Sequence, residues 1–142
     1  MYEEIKKGVF YTYDDSPSID SETINFLKEY CLKNKLKISR LCLHKNNEKE
    51  LMSMLIVILD KYLYPIHKHS WKDESYTILA GEGFYEEYDK SGNMILKRKL
   101  KTYSSLLNDT RNFHLIRPNT NLFAFIETTI GPFTNRILEY MD

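Results

Sequence analysis

Four histidines are all that the chain contains, His44, His67, His69 and His114, and two of them stand in the segment YPIHKHSWKDESYTILAG. In an extended strand, residues two apart point to one face. His67 and His69 therefore present their imidazoles side by side, while Lys68 points the other way, toward solvent. Glu74 lies at an odd separation from His69. The intervening Ser70-Trp71-Lys72-Asp73 must turn, so that Glu74 opens the next strand and returns beside the histidines. Two imidazoles and a carboxylate suit Fe(II), Mn(II), Ni(II) or Zn(II) and leave positions open for water or substrate. His114 opens another strand in NFHLIRPNT and supplies a third imidazole. A single histidine on an apolar strand is usually an ordinary hydrogen-bonded residue. The convergence of a scarce residue type on one ligand set is what points to a divalent transition metal.

The elements that must position these side chains are mostly strands. At 142 residues the chain fits one domain over 1–142, with no internal repeat or linker to divide it. Asp20 or Ser21 caps a helix in which Ile24, Leu27 and Cys31 form one stripe, with Phe26 and Tyr30 beside it and an end near Asn34. After Ile38 the pattern is β throughout. Leu51 to Leu59 is almost continuously apolar, as in a strand covered on both faces. Glu74 to Ala80 leads into a tight Gly81-Glu82-Gly83 connection. Phe84 to Tyr88 and Met94 to Leu100 flank the loop residues Asp89-Lys90-Ser91-Gly92-Asn93. Asn121 to Thr129 is a further strand. The expectation is an all-β sandwich or barrel with one N-terminal helix, divided into a strand-and-helix extension over 1–38 and a barrel over 39–135.

Lys plus Arg and Asp plus Glu are equal at 20 each, so no net field draws in polyanions, and nucleic acid is not expected as the main partner. The 11 Tyr and 7 Phe serve either a β core or sugar-stacking surfaces. Cys31 and Cys42 read as small buried thiols in a reducing cytosol. The opening MYEEIKKGVFYTYDD has no apolar core of a signal peptide, and the longest apolar run, Met54 to Leu59, is too short for a bilayer. A cytoplasmic protein with no membrane partner is expected.

Further candidates follow from strand parity. Arg40, Cys42 and His44 share a face, which makes Arg40 a candidate substrate contact. His44 is a catalytic or substrate-contacting residue on that reading, or else a surface residue of an edge strand. Glu127 shares a face with Phe123 and Phe125, where a charge is costly without a partner. It serves as a general base, as a partner of a ligand histidine, or as one half of an ion pair at the barrel rim. Arg98 interrupts the face of Met94, Leu96 and Leu100, either to bind a phosphate or carboxylate or to form a barrel-end ion pair. Tyr76 has the parity of Glu74 and lines the cavity or packs in the core. Lys97, Lys99 and Lys101 read as a solvated face.

His67-Lys68-His69, four residues, Glu74, six residues and Gly81 resemble the first cupin motif in its HxH(x)4E(x)6G part. Lys61 stands where that motif has its leading Gly. Around His114, Asp109, Arg111 and Pro118 replace the Pro, Gly and Asn of the second motif. Over most of the chain, Arg40-Leu41-Cys42-Leu43-His44, the Tyr-Pro-x-His-Lys-His stretch, the Glu74 strand, and Glu127 followed by Gly131-Pro132-Phe133 look like the WbuC-type cupin metalloproteins. The GVFY segment and the helix before Arg40 agree with them. The resemblance implies a cupin (jelly-roll) barrel, a metal site and a bacterial setting among genes for O-antigen and other surface polysaccharides. It also implies a small polar substrate, a sugar or nucleotide-sugar, and a homodimer. It implies no particular reaction. Three functions stay open: a metal-dependent isomerase, epimerase or dioxygenase, a non-catalytic metal-assisted carbohydrate-binding module, and a metal-independent sugar epimerase.

Overall fold

A computed structural model describes residues 1–69, 72–109, 111–132 and 138–142. Ser70 and Trp71 of the expected turn, Phe133 of the resemblance, and the expected end of the barrel at 135 lie outside them. The helix α1 (Ser21–Asn34) begins where its cap residue can satisfy it. Asp20 Oδ1 accepts from the Thr23 amide at 2.9 Å, and Thr23 Oγ1 accepts from the Asp20 amide at 3.3 Å. The helix closes on Lys35, whose φ of 55° turns its amide back to the carbonyls of Cys31 and Leu32. Its buried residues are Thr23, Leu27 and Cys31, so the stripe starts one residue earlier than Ile24.

Twelve strands among the described residues form two sheets. The first runs in the order β1 (Tyr2–Lys6), β2 (Val9–Thr12), β3 (Ile38–Cys42), β4 (Leu51–Leu59), β11 (Leu122–Ile130), β6 (Glu74–Ala80) and β9 (Ser105–Asn108). The second runs β12 (Leu138–Tyr140), β5 (His67–His69), β10 (Phe113–Pro118), β7 (Glu82–Tyr88) and β8 (Met94–Lys101). The sheets are not closed into a single barrel, as the sequence pattern had suggested; they face one another across a shared interior, in keeping with a jelly roll.

The continuous apolar run of β4 follows from its position. Leu55, Val57 and Leu59 pack outward with Leu41 and Ala124 against Leu27 and Cys31 of α1. Ile56 and Ile58 point inward, with Tyr76, Ile78, Phe123 and Phe125 of their own sheet and Tyr85 and Leu100 of the other. A strand with a helix on one side and a second sheet on the other has no solvent face left to make polar. Local chemistry sets the connections. Gly81 has φ 82°, and a Cβ there would meet the Leu122 carbonyl oxygen at 2.2 Å, so β6 passes into β7 only through glycine. Asp89 Oδ1 accepts from the amides of Ser91 and Asn93, each at 2.9 Å, and shapes the β7–β8 hairpin. No described helix is long and apolar enough to cross a membrane.

Candidate metal centre

His67 and His114 are direct cross-strand partners in the antiparallel β5–β10 pair, which puts their rings on one face with centroids 4.5 Å apart. His69, two residues along β5, lies on the same side at 5.1 Å from His67 and 5.6 Å from His114. Lys68 points to the opposite face and pairs with Glu139 at 3.0 Å. Glu74 approaches from the other sheet, at the start of β6. It does not return as a neighbour of β5 but reaches across the interior, where Oε1 lies 3.2 Å from Nε2 of His69 and 3.2 Å from Nε2 of His114. One ligand atom from each of His67, His69, Glu74 and His114 lies within 4.8 Å of every other.

Protonation states fit a cation. His67 Nδ1 donates to the Pro65 carbonyl at 2.8 Å and His114 Nδ1 to the Asn112 carbonyl at 3.1 Å. A carbonyl only accepts, so each Nδ1 carries a proton, and in the neutral imidazole each Nε2 then offers its lone pair. The Nε2 of His114 is buried and makes no aligned hydrogen bond, although the Glu74 oxygen is near. A lone pair and a carboxylate oxygen facing each other in a buried site call for a positive charge between them. Burial, and then the neighbouring His114, push the His67 imidazole down to about 4; burial also lowers His69. For Glu74 burial acts upward, but contacts with His114, His69, Glu127 and Lys72 outweigh it and hold the carboxyl well below its ordinary range. Neutral imidazoles and an ionised carboxylate are the forms that bind a metal. The donor set therefore fits a divalent ion.

Three more groups surround the cluster. The Tyr76 hydroxyl donates to Glu74 Oε1 at 3.0 Å, so this tyrosine lines the cavity and holds a ligand at once. Glu127, opposite Tyr76 in the β11–β6 register, faces inward as its parity predicts. Burial and then the Glu74 charge push its carboxyl well above the usual range. Lys72 was not singled out by the sequence pattern. Only 4% exposed, it places Nζ 3.5 Å from Glu74 Oε2 and 3.9 Å from Glu127 Oε1. Its backbone is held by Arg111, whose Nη1 donates to the Lys72 carbonyl at 3.1 Å and to Asp73 at 2.8 Å. The only signal in the sequence was its even spacing from Glu74, hidden inside a segment that reads as a turn.

Arg40 lines the same cavity, opposite Ile56 in the β3–β4 register. Two other candidates lie elsewhere. His44 is buried, but β3 ends at Cys42, and the strand alternation does not carry His44 into the cavity. Its Nδ1 sits 3.0 Å from the Ser53 carbonyl oxygen and 3.2 Å from the Ser53 amide, and its ring meets Tyr11 edge-on. Arg98 has the parity of Leu96 and Leu100, yet it is exposed. The strand β8 forms an edge of its sheet, and Leu96 and Leu100 pack on the interior while Arg98 between them does not. The cavity itself measures about 150 Å³ and extends from the cluster between Ile38, Ile56, Ile58, Ile116 and Phe125.

No family model and no curated protein matches the sequence. Solved structures do match. A cupin superfamily protein from Desulfitobacterium hafniense superposes with a TM-score of 0.54 at 18% identity, over 66% of this chain and 76% of that one. The chain has the cupin fold. KdgF from Halomonas sp. shares it, with a TM-score of 0.55 at 15% identity over 66% of this chain and 80% of that one. So does part of the Staphylococcus aureus capsular polysaccharide assembling protein CapF, with a TM-score of 0.63 at 12% identity. That match covers 73% of this chain and 30% of CapF, so this chain spans less than a third of the CapF length. A cupin fold with a His67–His69–Glu74–His114 cluster able to bind a divalent metal is the coarse identity of the molecule.

Proposed function

We propose that this chain is a divalent-metal-dependent enzyme, of the isomerase or epimerase kind, acting on a small sugar-derived substrate of surface polysaccharide assembly. The observation that carries the enzymatic part is the company of the ligand set. Glu127 and Lys72, both able to move protons, stand beside Glu74 at the inner end of one cavity, where a substrate oxygen at the cluster would lie next to them. A plain binding module needs only the ligands and a complementary wall. The sugar part is supported by the likeness to WbuC-type cupins and, more distantly, by the capsular polysaccharide assembly function of CapF. The same reading makes 39–135 the cupin unit and 1–38 its extension, in a bacterial cytoplasmic protein.

When bound, a divalent ion would polarise a substrate oxygen and acidify the adjacent carbon. The rest falls to side chains. His67 and His114, oriented by the Pro65 and Asn112 carbonyls, present Nε2 to the ion. Tyr76 fixes the Glu74 carboxylate by its hydroxyl. Glu127 is placed to pass a proton between its carboxyl oxygen and a substrate atom, and Lys72, 3.9 Å from that oxygen, steadies its charge.

The test is elemental analysis of protein purified without added metal or chelator, beside the His67→Ala/His69→Ala variant, followed by mass spectrometry of candidate sugars after incubation with the loaded protein. Near-stoichiometric metal that disappears in the variant, with a substrate isomerised only by the loaded protein, is expected. Metal bound while every ligand returns unchanged would move the reading to a metal-assisted binding module. No metal and no uptake on titration would sink it.

A further inference from the structure

The cavity has a composition unlike that of a site for a polyhydroxylated ligand. Its wall carries Ile38, Met54, Ile56, Ile58, Ile116 and Phe125. Its hydrogen-bonding side chains are largely committed. The three histidines and Glu74 form the cluster, Tyr76 donates to Glu74, and Lys72 stands between Glu74 and Glu127. Arg40 is the exception. It is half-buried on β3, on the cavity face, and its guanidinium makes no hydrogen bond or ion pair with another described residue. A half-buried guanidinium on a cavity wall gains from an acceptor, and a carboxylate is the partner whose planar geometry matches it in two parallel bonds.

Charge points the same way. Among the described residues, the ionisable groups on the wall other than histidine and tyrosine are Arg40, Lys72, Glu74 and Glu127, two cations against two carboxyls. With both carboxyls ionised they cancel, and a divalent ion then leaves the cavity with two positive charges. A low-dielectric pocket with that surplus selects an anion over a neutral molecule of the same shape. Size narrows the class further. About 150 Å³ is well below the roughly 300–1,000 Å³ of pockets that enclose drug-sized ligands, and a sugar nucleotide does not fit inside it.

We propose that the cavity takes a small carboxylic acid with a metal-binding oxygen near the carboxylate and a short deoxygenated carbon chain, its carboxylate held by Arg40 and its chain against Ile38, Ile56 and Ile58. This rests on the metal-dependent part of the reading above and replaces its sugar-derived substrate with a small acid. Arg40 is then the residue that sets specificity.

Calorimetric titration of the metal-loaded protein with 2-hydroxy-3-methylbutanoate, its amide and galactose decides the matter, with metal content measured on the same samples. Saturable binding of the acid is expected, with the amide weaker by about tenfold or more. Arg40→Met should lower affinity for the acid by about tenfold or more while its metal content and its affinity for the amide stay at the wild-type values, and Arg40→Lys should recover part of the loss. A purely structural role for Arg40 would not separate acid from amide. Equal binding of acid and amide, tighter binding of galactose, unchanged acid binding by Arg40→Met, or no saturable binding of the acid by metal-loaded protein would each overturn the inference while leaving the metal site standing. Should Arg40→Met fail to fold, the acid–amide comparison on the wild-type protein and Arg40→Lys still decides it. A protein that takes up no metal would instead remove the functional reading beneath it.

Discussion

His114 Nε2 and Glu74 Oε1 face each other at 3.2 Å across the interior, one from each sheet. In the neutral imidazole, with the Nδ1 proton committed to the Asn112 carbonyl, neither atom has a proton to share. Two buried acceptors at this distance repel one another, and a cation between them turns that repulsion into attraction. The cluster thus links the two sheets through an ion.

A metal that binds only the folded, two-sheet state stabilises it by mass action, by about 2.7 kcal/mol at a free concentration of 100 times Kd. For a domain of this length that corresponds to a rise in Tm of roughly 5–10 °C. Thermal melts of chelator-treated protein, with and without Zn(II) or Mn(II), measure it. The His67→Ala/His69→Ala variant should show no such rise, and a wild-type Tm insensitive to every divalent ion tried would contradict a bridging site.

Tyr76→Phe removes only the hydroxyl that donates to Glu74 at 3.0 Å and keeps the ring in its place beside Phe125 and Tyr85. Metal affinity should fall by about 10- to 100-fold, as for other residues that orient a metal ligand, with stability of the metal-free protein little changed. Competition against a chelator of known affinity reads it. Unaltered affinity would make Tyr76 a core residue and nothing more.

His44→Asn tests the placement outside the cluster. Metal stoichiometry should stay at the wild-type value, because His44 bonds the main chain of Ser53 and does not line the cavity. Stability should fall by about 1 kcal/mol for the weakened hydrogen bonding, measured by urea unfolding. Loss of metal from this variant would return His44 to the site.

A pH dependence independent of the metal comes from Glu86. It is 1% exposed on β7, accepts from Arg117 Nε at 3.0 and 3.2 Å, and accepts from the Tyr88 hydroxyl at 2.5 Å. Burial acts upward on its carboxyl, but Arg117 and Tyr88 outweigh it, and the folded protein holds Glu86 below the ordinary 4.5. A depressed carboxyl contributes stability that is present above 4.5 and is lost as pH falls through the folded value. Arg117→Met should therefore cost about 1–2 kcal/mol at neutral pH, a figure reduced for the partial exposure of the arginine. The difference from wild type should shrink as acid protonates Glu86. Urea unfolding across the acid range measures both, and a difference that persists unchanged in acid would assign the loss to packing.

Some of this molecule is determined by short stretches of sequence acting alone. The cap at Asp20, the stop at Lys35, the hairpin built on Asp89 and the glycine turn at Gly81 depend on neighbours within a few residues. The pairing of His67 with His69 on one face, and of Glu127 with Phe125 and Phe123, follows from the twofold period of a strand, which no tertiary context alters. Period, however, sorts side chains into two faces without saying which face is covered. That decision belongs to the packing of the sheets. It buried both faces of β4, left Arg98 exposed on an edge strand, and kept His44 from the cavity where β3 ends. It also brought Lys72 inward from a segment with no strand pattern, and it set Glu74 opposite the histidines on the facing sheet. Residues far apart in sequence meet only when two surfaces close on each other, and the free energy that closes them comes from the apolar interior as a whole, not from the residues that meet.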